Sequence, residues 1–369
     1  MPVCPVCSHE NPATALFCAR CTSPVAVLPL HELGEADHRE CVAALFESLA
    51  QISRAAAGDE PRDRDLWRAY LDAFWLRPET ALVLYAEALA VRPFREAAAG
   101  AWLDLGCGDG VHAAIYSGYR FGAEFDAFAA LDPGAADIYN HFDPAQFSAP
   151  IVRSGRRVDY GLDIKPTAVA RATALGTFNA VMQADATRLP LPDRSVGGIF
   201  SNMLRDLGEP LPAALAECRR ALTDDGVLLL SAMTPAYAES LHFVPAARAA
   251  QAAGETERAE HLLKLDRGRS VFCQRQLSLD QWRPLLDRAG LVLRRAHPLV
   301  GDRATRFWDV GLRPFTHALL RQRQAWVDAG LLGAVKPSLV AMLDYLLAPL
   351  VRTVGQGTPC MHLLEIGKA

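Results

Sequence analysis

Residues 101–110 read AWLDLGCGDG, and this segment constrains the fold more than any other. Ala101–Leu105 is apolar enough for a buried strand, three glycines follow at alternate positions, and a helix can begin at Val111. Glycine lets the backbone take left-handed angles and approach a ligand with no Cβ in the way. A helix opening behind such a turn presents amide N–H groups to that ligand. A dinucleotide-binding turn would read G-x-G-x-x-G, and Val111 stands where its third glycine belongs. A ligand-free glycine turn is the plainer alternative, and the strand in front of it argues against that.

From Ala101 onward, short apolar runs alternate with helical patterns. Strands are expected at Ala101–Leu105, Val158–Ile164, Asn179–Ala184, Val196–Ser201, Val227–Met233, Leu291–Ala296 and Met361–Ile366. Helices fit between them at Pro166–Leu175, Leu211–Leu222 and Leu279–Ala289, the last with Ser278 and Gln281 in capping-box spacing. This alternation predicts an α/β fold: a Rossmann-like, seven-stranded, mostly parallel sheet with helices on both faces. Three stretches break it, at about 116–157, 235–270 and 300–357. The expected organisation is a cysteine module at 1–30, a helical lid or substrate-side segment at 31–100, a core at 101–299 and 358–369, and a helical insertion at 300–357. Within 31–100, helices are expected at Cys41–Ala57, Asp65–Leu76 and Glu79–Val91, and Arg77 and Glu79 are candidate substrate-side residues. With 51% apolar and 22% charged residues the composition is globular, not disordered. A net charge of −4 separates the molecule as a whole from basic nucleic-acid binders.

The spacing Asp104-x-Gly106-x-Gly108-x-Gly110 resembles motif I of the class I S-adenosylmethionine-dependent methyltransferases. The resemblance implies a cofactor site built from Asp104, Gly106, Cys107, Gly108, Asp109 and Gly110. It also implies an acidic residue at the end of the second strand, able to accept both ribose hydroxyls. Asp132 and Asp163 lie 22 and 53 residues beyond Gly110. Asp163, followed by Ile164, ends the better strand, and Pro166 then opens a helix that Gly176 closes. Asp163 is therefore the expected residue, at the cost of an insertion of about 35 residues. Further on, Asp185 and Ala186 resemble the family segment whose Asp accepts from the adenine amino group while the next amide meets a ring nitrogen. Ser201 and Asn202 end the fourth strand, where the resemblance places the methionine moiety. The cofactor's sulfonium and ammonium charges give Asp104 and Asp109 a rationale. The resemblance covers residues 101–233 and 279–293, about 40% of the chain.

Four of the nine cysteines stand in two C-x₂-C pairs, Cys4 with Cys7 and Cys18 with Cys21, ten residues apart. Two such knuckles bring four thiolates into the closed tetrahedron of structural Zn²⁺. A ribbon of this kind, some eighty residues before the glycine loop, is expected to support folding and to take no part in methyl transfer, and its loss should leave cofactor affinity within about threefold. Its only charges are Glu10 and Arg20 and its only aromatic is Phe17, a poor surface for RNA. A protein partner or simple stabilisation is favoured for it, with RNA docking as the alternative.

Methyl transfer is an in-line displacement that needs positioning more than a protein nucleophile, so the acceptor leaves few marks in the sequence. Tyr139, His141 and Asp143 form a polar–aromatic cluster that could orient an acceptor or take its proton. A small-molecule or lipid-like acceptor is the preferred reading. An RNA methyltransferase docked by its ribbon and a cofactor-binding scaffold without turnover are the rivals. Residues 300–357 suit packing helices, or alternatively a greasy acceptor site or membrane-surface contact. No run of about 18 uninterrupted apolar residues predicts a transmembrane segment, and the first residues lack an export-signal pattern. A cytoplasmic location is the expectation.

Overall fold

The alternation beyond Ala101 folds into one sheet. Its strands are β1 (Trp102–Leu105), β4 (Val158–Asp163), β5 (Phe178–Gln183), β6 (Val196–Ser201), β7 (Leu222–Met233), β8 (Leu291–Gly301) and β9 (Pro359–Lys368), in the order β5-β4-β1-β6-β7-β9-β8. All seven expected strands are present. The first five run parallel, while β9 is antiparallel to both β7 and β8. The computed structural model describes residues 1–13, 15, 17–20, 25, 35–55, 63–129, 142–145, 147–208, 210–266 and 275–369. β8 and β9 outrun their expected spans because their antiparallel pairing continues from Leu291 with Lys368 to Gly301 with Pro359.

From β1 the chain moves outward to β4 and β5, then crosses back to β6 and β7 on the other side. The direction reverses between β1 and β6, and in sheets of this order the carboxyl ends of the strands at that point are where a ligand crevice forms. Close packing beneath it depends on glycine at one point: a Cβ on Gly198 would lie 2.3 Å from the Trp102 indole, on the neighbouring strand.

One sheet face is covered by α5 (Pro166–Leu175), which begins on Pro166 and ends on Gly176 at φ 73°, together with α4 (Val111–Tyr116). The same face carries α2 (Arg64–Ala73) and α3 (Pro78–Ala97), so that Trp67, Tyr70 and Tyr85 share a core with Trp102, Ile115 and Phe200. The helix α3 runs past the expected end at Val91, through Pro93. The other face is covered by α6 (Leu211–Ala221) and α10 (Leu279–Arg288), which bury Leu215, Cys218, Trp282 and Leu286 against Leu103, Ile199, Leu230 and Leu364. The Ser278–Gln281 capping box is formed.

The stretches outside the alternation are mostly helical. A short hairpin, β2 (Arg120–Phe121) and β3 (Ile151–Arg153), follows α4. After β7 come α7 (Ala236–Ser240), α8 (Phe243–Ala252) and α9 (Thr256–Asp266), and after β8 come α11 (Asp302–Val310), α12 (Thr316–Asp328) and α13 (Leu332–Arg352). By length and composition α13 could cross a membrane, yet it buries Val340, Leu343, Leu347 and Leu350 in the protein core. Its Asp344 accepts from the Trp67 indole N–H at 2.9 Å. Met342, Tyr345 and Leu346 stay exposed. Near the N-terminus, α1 (Glu35–Ala55) sends Cys41 and Ala44 into a small core with α8 and α9.

Candidate functional site

The glycine loop leaves β1 and is pinned at once to the end of β4. Gly106 and Cys107 amides both donate to the Leu162 carbonyl, at 2.7 and 3.0 Å. The Gly108 amide donates to Asp163 Oδ2 at 2.9 Å, and Asp163 Oδ1 accepts from the Lys165 amide at 2.9 Å. One carboxylate thus ties the glycine loop to the turn that starts α5. All three glycines have positive φ. A Cβ on Gly110 would strike the Phe178 ring at 2.6 Å, but one on Gly108 would meet nothing within 4 Å, so the loop is bare there and open to a ligand. Asp163 itself is raised above the usual carboxyl range by burial, against the pull of its backbone hydrogen bonds. Asp132 lies outside the described residues.

Beneath the loop, Asp104 is almost fully buried and accepts from the Tyr116 hydroxyl at 3.0 Å. Burial, with the nearby Asp163 and Glu87 charges, pushes its pKa up to about 7 against that hydrogen bond. Asp109 caps the Val111 amide at 3.1 Å and faces Arg171 at 3.7 Å. The Cys107 thiol is buried, and burial raises its pKa well above normal. At the end of β6, Ser201 Oγ accepts from the Met203 and Leu204 amides at 3.2 and 3.1 Å.

Asn202 points to Glu87 of α3, donating to its Oε2 at 3.2 Å. Glu87 is fully buried and also accepts from Ser231 at 2.6 Å, with Arg205 3.7 Å away and His112 Nε2 3.5 Å away. His112 Nδ1 meets the Tyr70 hydroxyl at 2.8 Å, and burial lowers its pKa to about 4, so the ring is neutral. This network joins α3, α4, β6 and β7 beside the loop. Glu87 was missed in the sequence, although a lone carboxylate within the apolar run Leu84–Leu89 was a signal for it.

Residues 144–230 match a family model described as a methyltransferase domain. A malonyl-[acyl-carrier protein] O-methyltransferase from Coxiella burnetii is 37% identical over 82 residues, which make up 22% of this chain and 27% of that protein. Residues 144–230 thus carry a methyltransferase domain. It spans about a quarter of the length of the curated relative it matches. Among solved structures, an S-adenosylmethionine-dependent methyltransferase from Mesorhizobium loti is 18% identical, with 76% of this chain and 97% of that one covered and a TM-score of 0.36. One from Geobacter sulfurreducens, in complex with S-adenosyl-L-homocysteine, is 13% identical, with 77% and 90% covered and a TM-score of 0.36.

Around the methyltransferase domain, the remaining expected residues fall in three places. Asp143 uses its carboxylate in a local turn, accepting from the Ala145 amide at 2.9 Å, while Tyr139 and His141 lie outside the described residues. Glu79 is fully buried, held by Arg77 and by the Leu312 amide at 3.3 Å, and so serves the start of α3 rather than a substrate. In the ribbon, the Cys4, Cys7 and Cys18 sulfurs lie within 4.8 Å of one another, and Cys21 lies outside the described residues. The Val6 and Arg20 amides each donate to a cysteine sulfur at 3.4 Å, on Cys4 and Cys18. Asn11 joins the knuckles, donating to His9 O and accepting from the Ala19 amide, both at 2.9 Å. Clustered cysteine sulfurs with amide donors suit Zn²⁺.

Far from the glycine loop in sequence, the ribbon nevertheless rests on the chain just after β4 and β5. Cys4 and Cys18 pack with Ile164, the residue after Asp163. Arg20 lays its Nε and NH2 groups on Asp185 Oδ2 at 3.1 and 2.5 Å. Eighty residues of chain do not make a distance in space.

Proposed function

We propose that this chain transfers a methyl group from S-adenosylmethionine to a small-molecule or lipid-like acceptor. The observation that carries the reading is the Gly108 amide on the Asp163 carboxylate, set at the crevice where the strand order reverses. In this reading Asp104, Gly106, Cys107, Gly108, Asp109 and Gly110 border the amino-acid and ribose end, and Asp163 with Ile164 takes the ribose. Asp185 and Ala186 take the adenine, and Ser201 with Asn202 borders the reacting end. The bare backbone at Gly108 and the paired carboxylates Asp104 and Asp163 fit a cationic, ribose-bearing ligand. The cofactor, once bound, supplies an activated methyl on a sulfonium. The chain's part is to hold both partners in line and to exclude water. No acid or base is required of it for an ionised acceptor.

An acceptor with an oxygen nucleophile is favoured by the Coxiella burnetii relative, whose name specifies malonyl groups on an acyl-carrier protein. Zn²⁺ on Cys4, Cys7, Cys18 and Cys21 completes the reading as a structural ion, in a reducing compartment such as the cytoplasm. Release of S-adenosylhomocysteine from S-adenosylmethionine should be followed with malonyl-acyl-carrier protein, free fatty acids and ribosomal RNA as acceptors. Turnover confined to RNA would replace this reading with its rival, and tight cofactor binding without turnover on any acceptor would favour the scaffold.

A further inference from the structure

One edge of the ribbon, residues 18–20, rests on the segments that follow the strands' carboxyl ends. Its residues touch the chain after three successive strands: Cys18 packs with Ile164 after β4, Arg20 pairs with Asp185 after β5, and Ala19 O lies 3.3 Å from where a Cβ on Gly208 would stand, after β6. The carboxyl ends of these strands are where a sheet of this order binds its ligand. Asp185 is moreover fully committed. Its Oδ1 accepts from the Thr187 amide at 2.9 Å and from the Thr187 hydroxyl at 2.8 Å, and its Oδ2 accepts from two Arg20 donors, Nε and Nη2. An ionised carboxylate offers about four lone-pair sites, and all four are used.

We propose that the zinc knuckle is a latch on the cofactor crevice, with Arg20 holding the Asp185 oxygen that adenine recognition needs. The inference rests on the methyltransferase reading of Asp185 given above. An adenine amino group reaching Asp185 Oδ2 finds its lone pairs filled until the guanidinium swings out. Arg20 can do so, since its side chain is 43% exposed and that of Asp185 23%. The ribbon therefore competes with the cofactor from within the chain.

Calorimetry of S-adenosylhomocysteine binding to the zinc-loaded full chain tests this without turnover. An exposed ion pair is worth ~0.2–1 kcal/mol, so Arg20→Ala should bind about 1.4- to 5-fold more tightly than wild type. The gap should narrow as NaCl rises from about 0.1 to about 0.5 M, because salt screens the pair. In an Asp185→Asn background, removing Arg20 should change nothing further, whatever that background does to affinity by itself. Arg20→Ala binding equally or more weakly overturns the latch and makes Arg20 a bystander or a wall of the site. A gap that survives in Asp185→Asn also overturns it. Wild-type protein and Arg20→Ala both failing to bind S-adenosylhomocysteine would instead overturn the cofactor reading on which the latch rests.

Discussion

Replacing Asp104 with Asn should stabilise the cofactor-free protein, and do so only where the carboxyl would be charged. In the folded chain the Asp104 pKa stands at about 7 against an ordinary value of 3.8. Between those two pH values the folded protein keeps a proton that the unfolded chain has released. Wild-type stability therefore falls as pH rises through this window and levels off above it. About three pH units at ~1.4 kcal/mol each amount to ~4 kcal/mol. Asn keeps an oxygen for the Tyr116 hydroxyl and carries no charge. Urea denaturation of the two proteins should thus agree near pH 4 and separate by ~4 kcal/mol near pH 8, with Asp104→Asn the more stable. A gap independent of pH, or a wild type that is the more stable at pH 8, would refute the argument. The same linkage reaches the ligand. A cation bound beside Asp104 favours its ionised form, so cofactor binding near pH 6 should release a proton, and affinity should climb with pH until about 7. Calorimetry in two buffers of different ionisation heat reads that proton directly.

Three further outcomes are expected. Asp163→Ala should weaken S-adenosylhomocysteine binding by ~1.5–3 kcal/mol, while Asp132→Ala leaves it alone, and the reverse pattern would place the ribose elsewhere. Gly108→Ala costs only the left-handed strain of ~1–2 kcal/mol, since nothing crowds the new methyl, so it should fold, by circular dichroism, yet bind the cofactor poorly; undiminished affinity would mean that the ligand does not lie on this loop. Cys4→Ser combined with Cys7→Ser should remove about one zinc per chain by elemental analysis, and metal-free wild type would refute the ribbon assignment.

Much of this fold was legible because its signals are local. The strand–glycine–helix pattern at Ala101–Val111, the Pro166 start and Gly176 stop of α5 and the Ser278–Gln281 capping box each depend on residues within one turn or one strand. Apolar runs of period two or near-continuous burial located all seven strands. Their lengths were harder, because β8 and β9 extend only as far as each finds the other to pair with.

What the tertiary structure alone decided is which distant surfaces meet. Glu87 is a lone acid in an apolar helix until α3 packs beside β6 and β7 and brings Ser231, Asn202 and Arg205 to it. Arg20 is an ordinary knuckle residue until the ribbon comes to rest on Asp185, 165 positions away. No periodicity encodes such a pairing, because it depends on the surface left open once both partners have folded. The sequence by itself determined the sheet and the glycine loop, through steric rules and burial that act along the chain. The seat of the ribbon on the crevice was settled only by the shape and charge of the assembled molecule.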